Sequence, residues 1–275
     1  MRCAVVLLAL SASLACGPEG PGDDPAADAE VSTQAAPARP NIVLYLIDTL
    51  RQNHLGVYGY ERATSPQLEA FAADAITFTN ATATSSWTKA TTASLLTGLY
   101  PSRHGASSRN SRVSPDSRLL SEYLQPLGYY QAGVVTNPFA VGHWGFDRAY
   151  DEFHDLGADL KGPSDWQAID AKKVHEKGFE ILDARPTDQP FLLYLHTIDV
   201  HGPNMPHAPF TRLFTDKPGP PGTPGRLNAQ TPQRRVKETI DLYDGEIAYA
   251  DEQFGAFIAG LKERGLYENT VIWFV

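Results

Sequence analysis

From Asn41 onward the chain alternates short, almost uninterrupted apolar runs with longer stretches of helical period, and this alternation restricts the fold more than any other feature. The runs are Asn41–Asp48 (NIVLYLID), Tyr129–Thr136 (YYQAGVVT), Phe191–Ile198 and Thr270–Val275 (TVIWFV), with a shorter one at Ile76–Ala81. A strand exposed on one face alternates polar and apolar side chains, whereas one covered on both faces reads as a continuous apolar run. Parallel neighbours also need a crossover long enough to hold a helix. Helices are expected over about 65–75, from about Lys89, over Ser164–Ala184 and over about Arg234–Arg264. In the last of these, Ile240, Tyr243, Ile247, Phe254, Phe257, Ile258 and Leu261 fall three, four or seven apart and form one apolar face. The fold class is therefore α/β, with a buried, mainly parallel sheet between helices.

Composition narrows the function. The 275 residues carry a net charge of −9, and the basic residues form no cluster beyond pairs such as Arg234-Arg235. A nucleic-acid footprint is missing, so no nucleic-acid partner is expected. The only cysteines are Cys3 and Cys16, which leaves residues 17–275 without cysteine chemistry or a disulfide. Residues 1–16 have the charged start, apolar middle and small-residue end of a secretion signal. The apolar stretch is shorter than the roughly 20 residues of a membrane span. Ser13-Leu14-Ala15-Cys16 resembles a bacterial lipobox with Ser13 in place of the usual Leu, so Cys16 is the expected lipidation site, with plain secretion and an uncleaved anchor as alternatives. Residues 17–39 have almost no large apolar side chain and read as a flexible tether. Residues 40–275 then form the domain. The Pro- and Gly-rich stretch Gly202–Thr231 is expected as a long loop near a substrate entrance.

Open α/β sheets place ligands at the carboxyl ends of their strands. Asp48 ends the first run, and its carboxylate suits a hard metal ion or, equally, the cap of a following turn. Ser85–Gly98 sets several hydroxyls at the start of an expected helix, where free N–H groups and the helix dipole attract anions. A hydroxyl there caps the helix or acts as a nucleophile. Asn137 stands at the end of YYQAGVVT, and His196, Asp199 and His201 follow the run from Phe191. Three strand ends thus offer polar groups to one side of the sheet.

Taken together, RPNIVLYLIDTLRQNHLGVYGY (39–60), TSPQLEAFAADAITFTNATATSSWTKATTASLLTGLYPSRHG (64–105), PFLLYLHTIDVHGPNMP (190–206) and YDGEIAYADEQFGAFIAGLKERGLYENTVIWFV (243–275) resemble the sulfatase family of the alkaline phosphatase superfamily, in family order and spacing. The resemblance implies an alkaline-phosphatase-like three-layer sandwich and a divalent metal ion (Ca, Mg or Mn). It implies that Asp48 is a metal ligand and that Thr88 occupies the nucleophile position, itself on the metal. His201 matches the histidine that binds the anionic group or protonates the leaving oxygen, in a stretch where Val200 replaces the usual Pro. Asn137 falls near a substrate-binding lysine of many relatives, and Asn53 where many have a second Asp. The motif that carries formylglycine in ordinary sulfatases reads Thr88-Lys89-Ala90-Thr91-Thr92, with Thr for the convertible residue and for the Arg. No formylglycine is therefore expected. The family continues past the equivalent of TVIWFV with further metal ligands, and a strand-like run with no polar tail reads as the N-terminal portion of a longer domain.

The expected activity is metal-dependent hydrolysis of sulfate or phosphate esters through a hydroxyl nucleophile, acting on a sulfated or phosphorylated small molecule or glycan at a lipid-anchored cell-envelope location. The alternatives are a phosphotransferase acting on envelope polymers or lipids, favoured by an unmodified Thr88, and a catalytically silent lipoprotein that keeps the fold.

Overall fold

The computed structural model describes residues 39–157, 169–202, 207–216 and 227–275. The signal, Cys16 and nearly all of the tether lie outside them, as do residues 164–168 of the expected third helix and parts of the Pro-rich loop. Among the described residues, no helix is long and apolar enough to cross a membrane.

Five parallel strands form one sheet: β1 (Asn41–Ile47), β2 (Tyr130–Val135), β3 (Glu152–Asp155), β4 (Phe191–Thr197) and β5 (Thr270–Phe274), in the order β3-β2-β4-β1-β5. The two longest apolar runs are neighbours at the centre. Ile42 pairs with Leu192, and the register continues to Ile47 opposite Thr197. Every residue of β4 is buried, which explains its continuous apolar sequence. Because a strand directs successive side chains to opposite faces, β1 feeds two separate cores. Val43, Tyr45 and Ile47 join one with Val174, Ile181, Phe254 and Phe257. Leu44 and Leu46 join the other with Ala93, Leu96, Leu119 and Phe146.

The first core lies beneath α1 (Pro66–Ala72), α5 (Ala171–Ala184) and α6 (Gln233–Glu263). The second lies beneath α2 (Thr88–Thr97), with the short helices α3 (Pro101–His104) and α4 (Leu120–Leu124) beside it. The result is a helix, sheet and helix sandwich, as the sequence predicts. Each long helix has its local cause. Asp170 caps α5 by accepting from the Lys173 N–H at 3.1 Å. Helix α2 stops at Gly98, whose φ of 68° lies in the left-handed region where a side chain would be strained. The apolar face of α6 seats Phe254 and Phe257 against Tyr45, and Phe179 stacks on Phe257.

One expected strand does not form. Ile76–Ala81 has the alternating pattern, but it pairs with no strand edge, and Ile76 and Phe78 are 76% and 65% exposed. Alternation is necessary for a half-buried strand, yet the strand also needs backbone partners to satisfy its N–H and C=O groups. Conversely, β3 gave no signal in the sequence. Three of its four residues, Glu152, His154 and Asp155, are polar, and all four are half-buried because they sit at the sheet edge beside β2.

Phe257 is fully buried among Tyr45, His175 and Phe179. Phe257→Ala is expected to cost about 3–5 kcal/mol of unfolding free energy, measured by urea denaturation, with unchanged far-ultraviolet circular dichroism before the transition.

Candidate active site

The site forms where β1, β2 and β4 end together. The Asp48 N–H donates to the Thr197 carbonyl at 2.9 Å, continuing the β1 to β4 ladder by one residue and fixing where the carboxylate emerges. Asp48 is 7% exposed, and a buried carboxylate without donors is costly. Three donors converge on its Oδ2. They are Asn137 Nδ2 at 2.6 Å, Thr88 Oγ1 at 3.2 Å and His196 Nε2 at 3.3 Å. Burial pushes the Asp48 pKa upward. The hydrogen bond and charge of His196, the charge of His201 and the hydrogen bond from Asn137 outweigh it, so the carboxyl sits below its ordinary value.

Each partner is itself positioned. Asn137 follows β2, and its Oδ1 accepts from the Phe139 N–H at 2.9 Å, which turns the amide so that its NH2 faces Asp48. That NH2 also lies 3.4 Å from Thr88 Oγ1. His196 is wholly buried in β4, with Tyr194 Oη 3.0 Å from Nδ1. Burial raises the Tyr194 pKa well above its ordinary value, so the phenol keeps its proton beside Nδ1. The opposite ring nitrogen, Nε2, faces the Asp48 carboxylate, which can only accept from it. Tyr194 in turn bonds Thr92 of α2, so the residue standing where the formylglycine motif has Arg belongs to the support of His196.

Thr88 is the first residue of α2, and no side chain caps that helix; Trp87 holds the cap position. Of the two roles open to this hydroxyl from sequence, capping is the one the structure does not bear out, since Thr88 Oγ1 donates to Asp48 instead. The neighbouring loop is closed by Thr91 Oγ1 donating to the Ser85 carbonyl at 2.7 Å. The uncapped first turn therefore directs N–H groups and the positive end of the helix dipole beside the Thr88 oxygen, where an anion is favoured. Lys89, next in sequence, is spent elsewhere. Its buried ammonium donates to the carbonyls of Arg109 at 2.7 Å and Ser111 at 3.0 Å and lies 3.0 Å from the Trp144 ring centroid. Desolvation pulls its pKa down to about 8.

The group of His196, Asp199 and His201 divides. His196 reaches Asp48 as described, and His201 acts on Asp48 through its charge while its Nδ1 donates to the Gly202 carbonyl at 2.7 Å. Asp199 instead faces the start of α5, accepting from the Ala171 N–H at 2.9 Å. Its Oδ2 is buried with no hydrogen-bond partner among the described residues, and burial lifts its pKa to about 6. Asn53 also stands apart, accepting from Arg51 Nε at 3.2 Å on the surface. The Tyr194–His196 pair escaped sequence reasoning, because a Tyr and a His in an apolar run look like ordinary core residues. Their spacing of two, which puts both on one face of β4, was the available signal.

The donor chemistry suits a divalent cation in part. Asp48 and Thr88 offer hard oxygens 3.2 and 3.5 Å apart, the ligand type that Ca²⁺, Mg²⁺ and Mn²⁺ take. Among the described residues no group of three or more His, Cys, Asp or Glu side chains is arranged to hold a metal ion. Asp48 and Thr88 fit two positions of a coordination shell that takes six or more oxygens.

Removing the Asn137 amide leaves a buried carboxylate without its shortest donor. Asn137→Ala is expected to cost about 1.5–3 kcal/mol, measured by denaturant unfolding at pH 7.

Comparison with known proteins shows the family and the fold. The family model described as Sulfatase matches residues 40–275. An ulvan-active sulfatase of Formosa agariphila is 25% identical over 271 residues, covering 89% of this chain and 51% of the relative. An N-acetylglucosamine-6-O-sulfatase of Bacteroides thetaiotaomicron is 25% identical over 193 residues, 65% of this chain and 34% of the relative. In three dimensions the chain superposes on the phosphonate monoester hydrolase of Agrobacterium radiobacter with a TM-score of 0.70 and 18% identity, over 86% of this chain and 62% of that one. The chain spans about half or less of the length of these two curated relatives. By its sequence over residues 40–275, this chain belongs to the sulfatase family.

Proposed function

We propose that this chain carries the nucleophile-bearing half of the active site of a metal-dependent hydrolase of sulfate or phosphate esters, with the unmodified Thr88 hydroxyl as nucleophile. The observation that carries the reading is the contact of Thr88 Oγ1 with the Asp48 carboxylate, at the uncapped start of α2. A threonine hydroxyl is a weak nucleophile until its proton is withdrawn or its anion is stabilised. Asp48 accepts that hydroxyl hydrogen bond, and Asn137 sits close enough to both to hold them in register.

The proposed order of events uses these groups. The ester anion docks at the N–H groups of α2, Thr88 Oγ1 passes its proton to Asp48 and attacks sulfur or phosphorus, and the bond to the leaving oxygen breaks as that oxygen takes a proton from His201. Water then attacks the covalent ester and gives its proton to His201, and the departing Thr88 oxygen recovers its proton from Asp48. Asn137 is placed to donate to the oxyanion, and His196 to keep Asp48 charged and oriented. A divalent cation bound through Asp48 and Thr88 would supply charge neutralisation and lower the pKa of the hydroxyl. A sulfated glycan is the favoured substrate class, since the relatives include an ulvan-active sulfatase and an N-acetylglucosamine-6-O-sulfatase. Attachment to the envelope through Cys16 remains part of the proposal on the strength of Ser13–Cys16.

The test compares wild type with Thr88→Ala and Thr88→Ser, expressed as the complete reading frame, on aryl sulfate and aryl phosphodiester with Mn²⁺, Mg²⁺ or Ca²⁺. Metal-dependent turnover is expected in wild type. Thr88→Ala is expected to lower kcat by about 10³-fold or more, while Thr88→Ser retains measurable activity. Turnover that survives Thr88→Ala would sink the assignment.

A further inference from the structure

We propose that Tyr243 of α6 is a positioning residue for the Asp48 carboxylate, acting through the backbone of Thr49. The inference rests on the reading that Asp48 and Thr88 form the reacting centre, and it adds a device that holds that centre in shape.

Thr49, directly after Asp48, has a φ of 61°. The left-handed region is disfavoured for an L-residue, and a β-branched residue there is a true outlier that persists only where surrounding contacts hold it. The contacts are present. Tyr243 Oη donates to the Thr49 carbonyl at 2.7 Å and accepts from the Arg51 N–H at 2.9 Å, so one oxygen closes both ends of the turn. Burial raises the Tyr243 pKa, which keeps the hydroxyl a donor at working pH. On the other side, Thr49 Oγ1 donates to the Val200 carbonyl at 3.1 Å and ties the turn to the residue before His201.

The clamp is itself rigidly mounted. The Tyr243 ring meets His54 edge-on at 5.0 Å, and His54 Nδ1 lies 2.6 Å from the fully buried Asp244. Asp244 also accepts from Tyr60 and from Arg62, each at 2.7 Å. Consecutive residues of one long helix thus grip the chain from Thr49 to Arg62. Asp48 is caught between two fixed points, its own N–H on Thr197 of β4 and the carbonyl of its successor on Tyr243. Its carboxylate inherits that precision, which is what a group supporting a ligand or nucleophile supplies.

Tyr243→Phe keeps the ring and deletes only the oxygen. With the protein expressed as its complete reading frame, we would measure Mn²⁺ affinity by titration calorimetry, kcat and KM on an aryl ester, and metal-free Tm. The substitution is expected to weaken Mn²⁺ binding and lower kcat by about 10-fold or more, with KM little changed. Adding Thr49→Gly, which removes the cost of the left-handed turn, is expected to restore a large part of the affinity lost. Wild type that binds Mn²⁺ and turns over ester, with Tyr243→Phe equal to it in both, would overturn the positioning role alone. So would a loss of affinity that follows the loss of Tm and is untouched by Thr49→Gly. Wild type that neither binds Mn²⁺ nor turns over ester would overturn the functional reading and this inference with it.

Discussion

A single buried carboxylate organises this structure. Burial pushes the pKa of Asp48 upward, and donors brought from elsewhere in the chain hold it below its ordinary value. Asn137 comes from the end of β2, His196 from β4 and Thr88 from the start of α2. Those residues are separated by 40 to 148 positions in sequence, and the parallel sheet is what brings them within 3.3 Å of one atom. Because parallel strands all deliver their carboxyl ends to the same edge, polar residues that each terminate an apolar run converge there without any local signal linking them.

The two cores on either side of the sheet divide the labour. One, beneath α2, presses Ala93 and Leu96 against Leu44 and Leu46, which sets where α2 begins relative to β1. The position of Thr88 beside Asp48 follows from that packing rather than from any property of threonine. The other core, beneath α5 and α6, uses Phe254 and Phe257 around Tyr45. Its fixed helix then reaches over the edge of β1, where Tyr243 and Asp244 hold the chain that follows Asp48. Stability and site geometry share the same contacts, so the core residues of β1 are also the mounting of the site.

The same sheet explains where reading residues one at a time goes astray. Asp199 looks equivalent to His196 and His201, since all three follow one apolar run. Its side chain instead turns to the start of α5, because the N–H of Ala171 is there to be satisfied. Ile76–Ala81 alternates like a strand but pairs with no strand edge. Thr88 reads in sequence as a helix cap, but its hydroxyl turns to Asp48 instead of the free N–H groups of α2.

The α/β class, the central strands, the long helix and the residues at the strand ends were all legible in the sequence, because they rest on local apolar periodicity and on the rule that parallel strands end at one edge. Asp48, Thr88, Asn137 and His201 were singled out there by motif resemblance, and the structure brings Thr88 and Asn137 onto Asp48. The tertiary structure alone decided which donors reach Asp48, that Tyr194 meets the far ring nitrogen of His196, that Lys89 is spent on the carbonyls of Arg109 and Ser111, and that Tyr243 closes the Thr49 turn. The physical reason is range. Periodicity is written over a few residues, whereas a hydrogen bond between Tyr243 and Thr49 spans 194 positions and exists only once two helix layers have packed on a sheet.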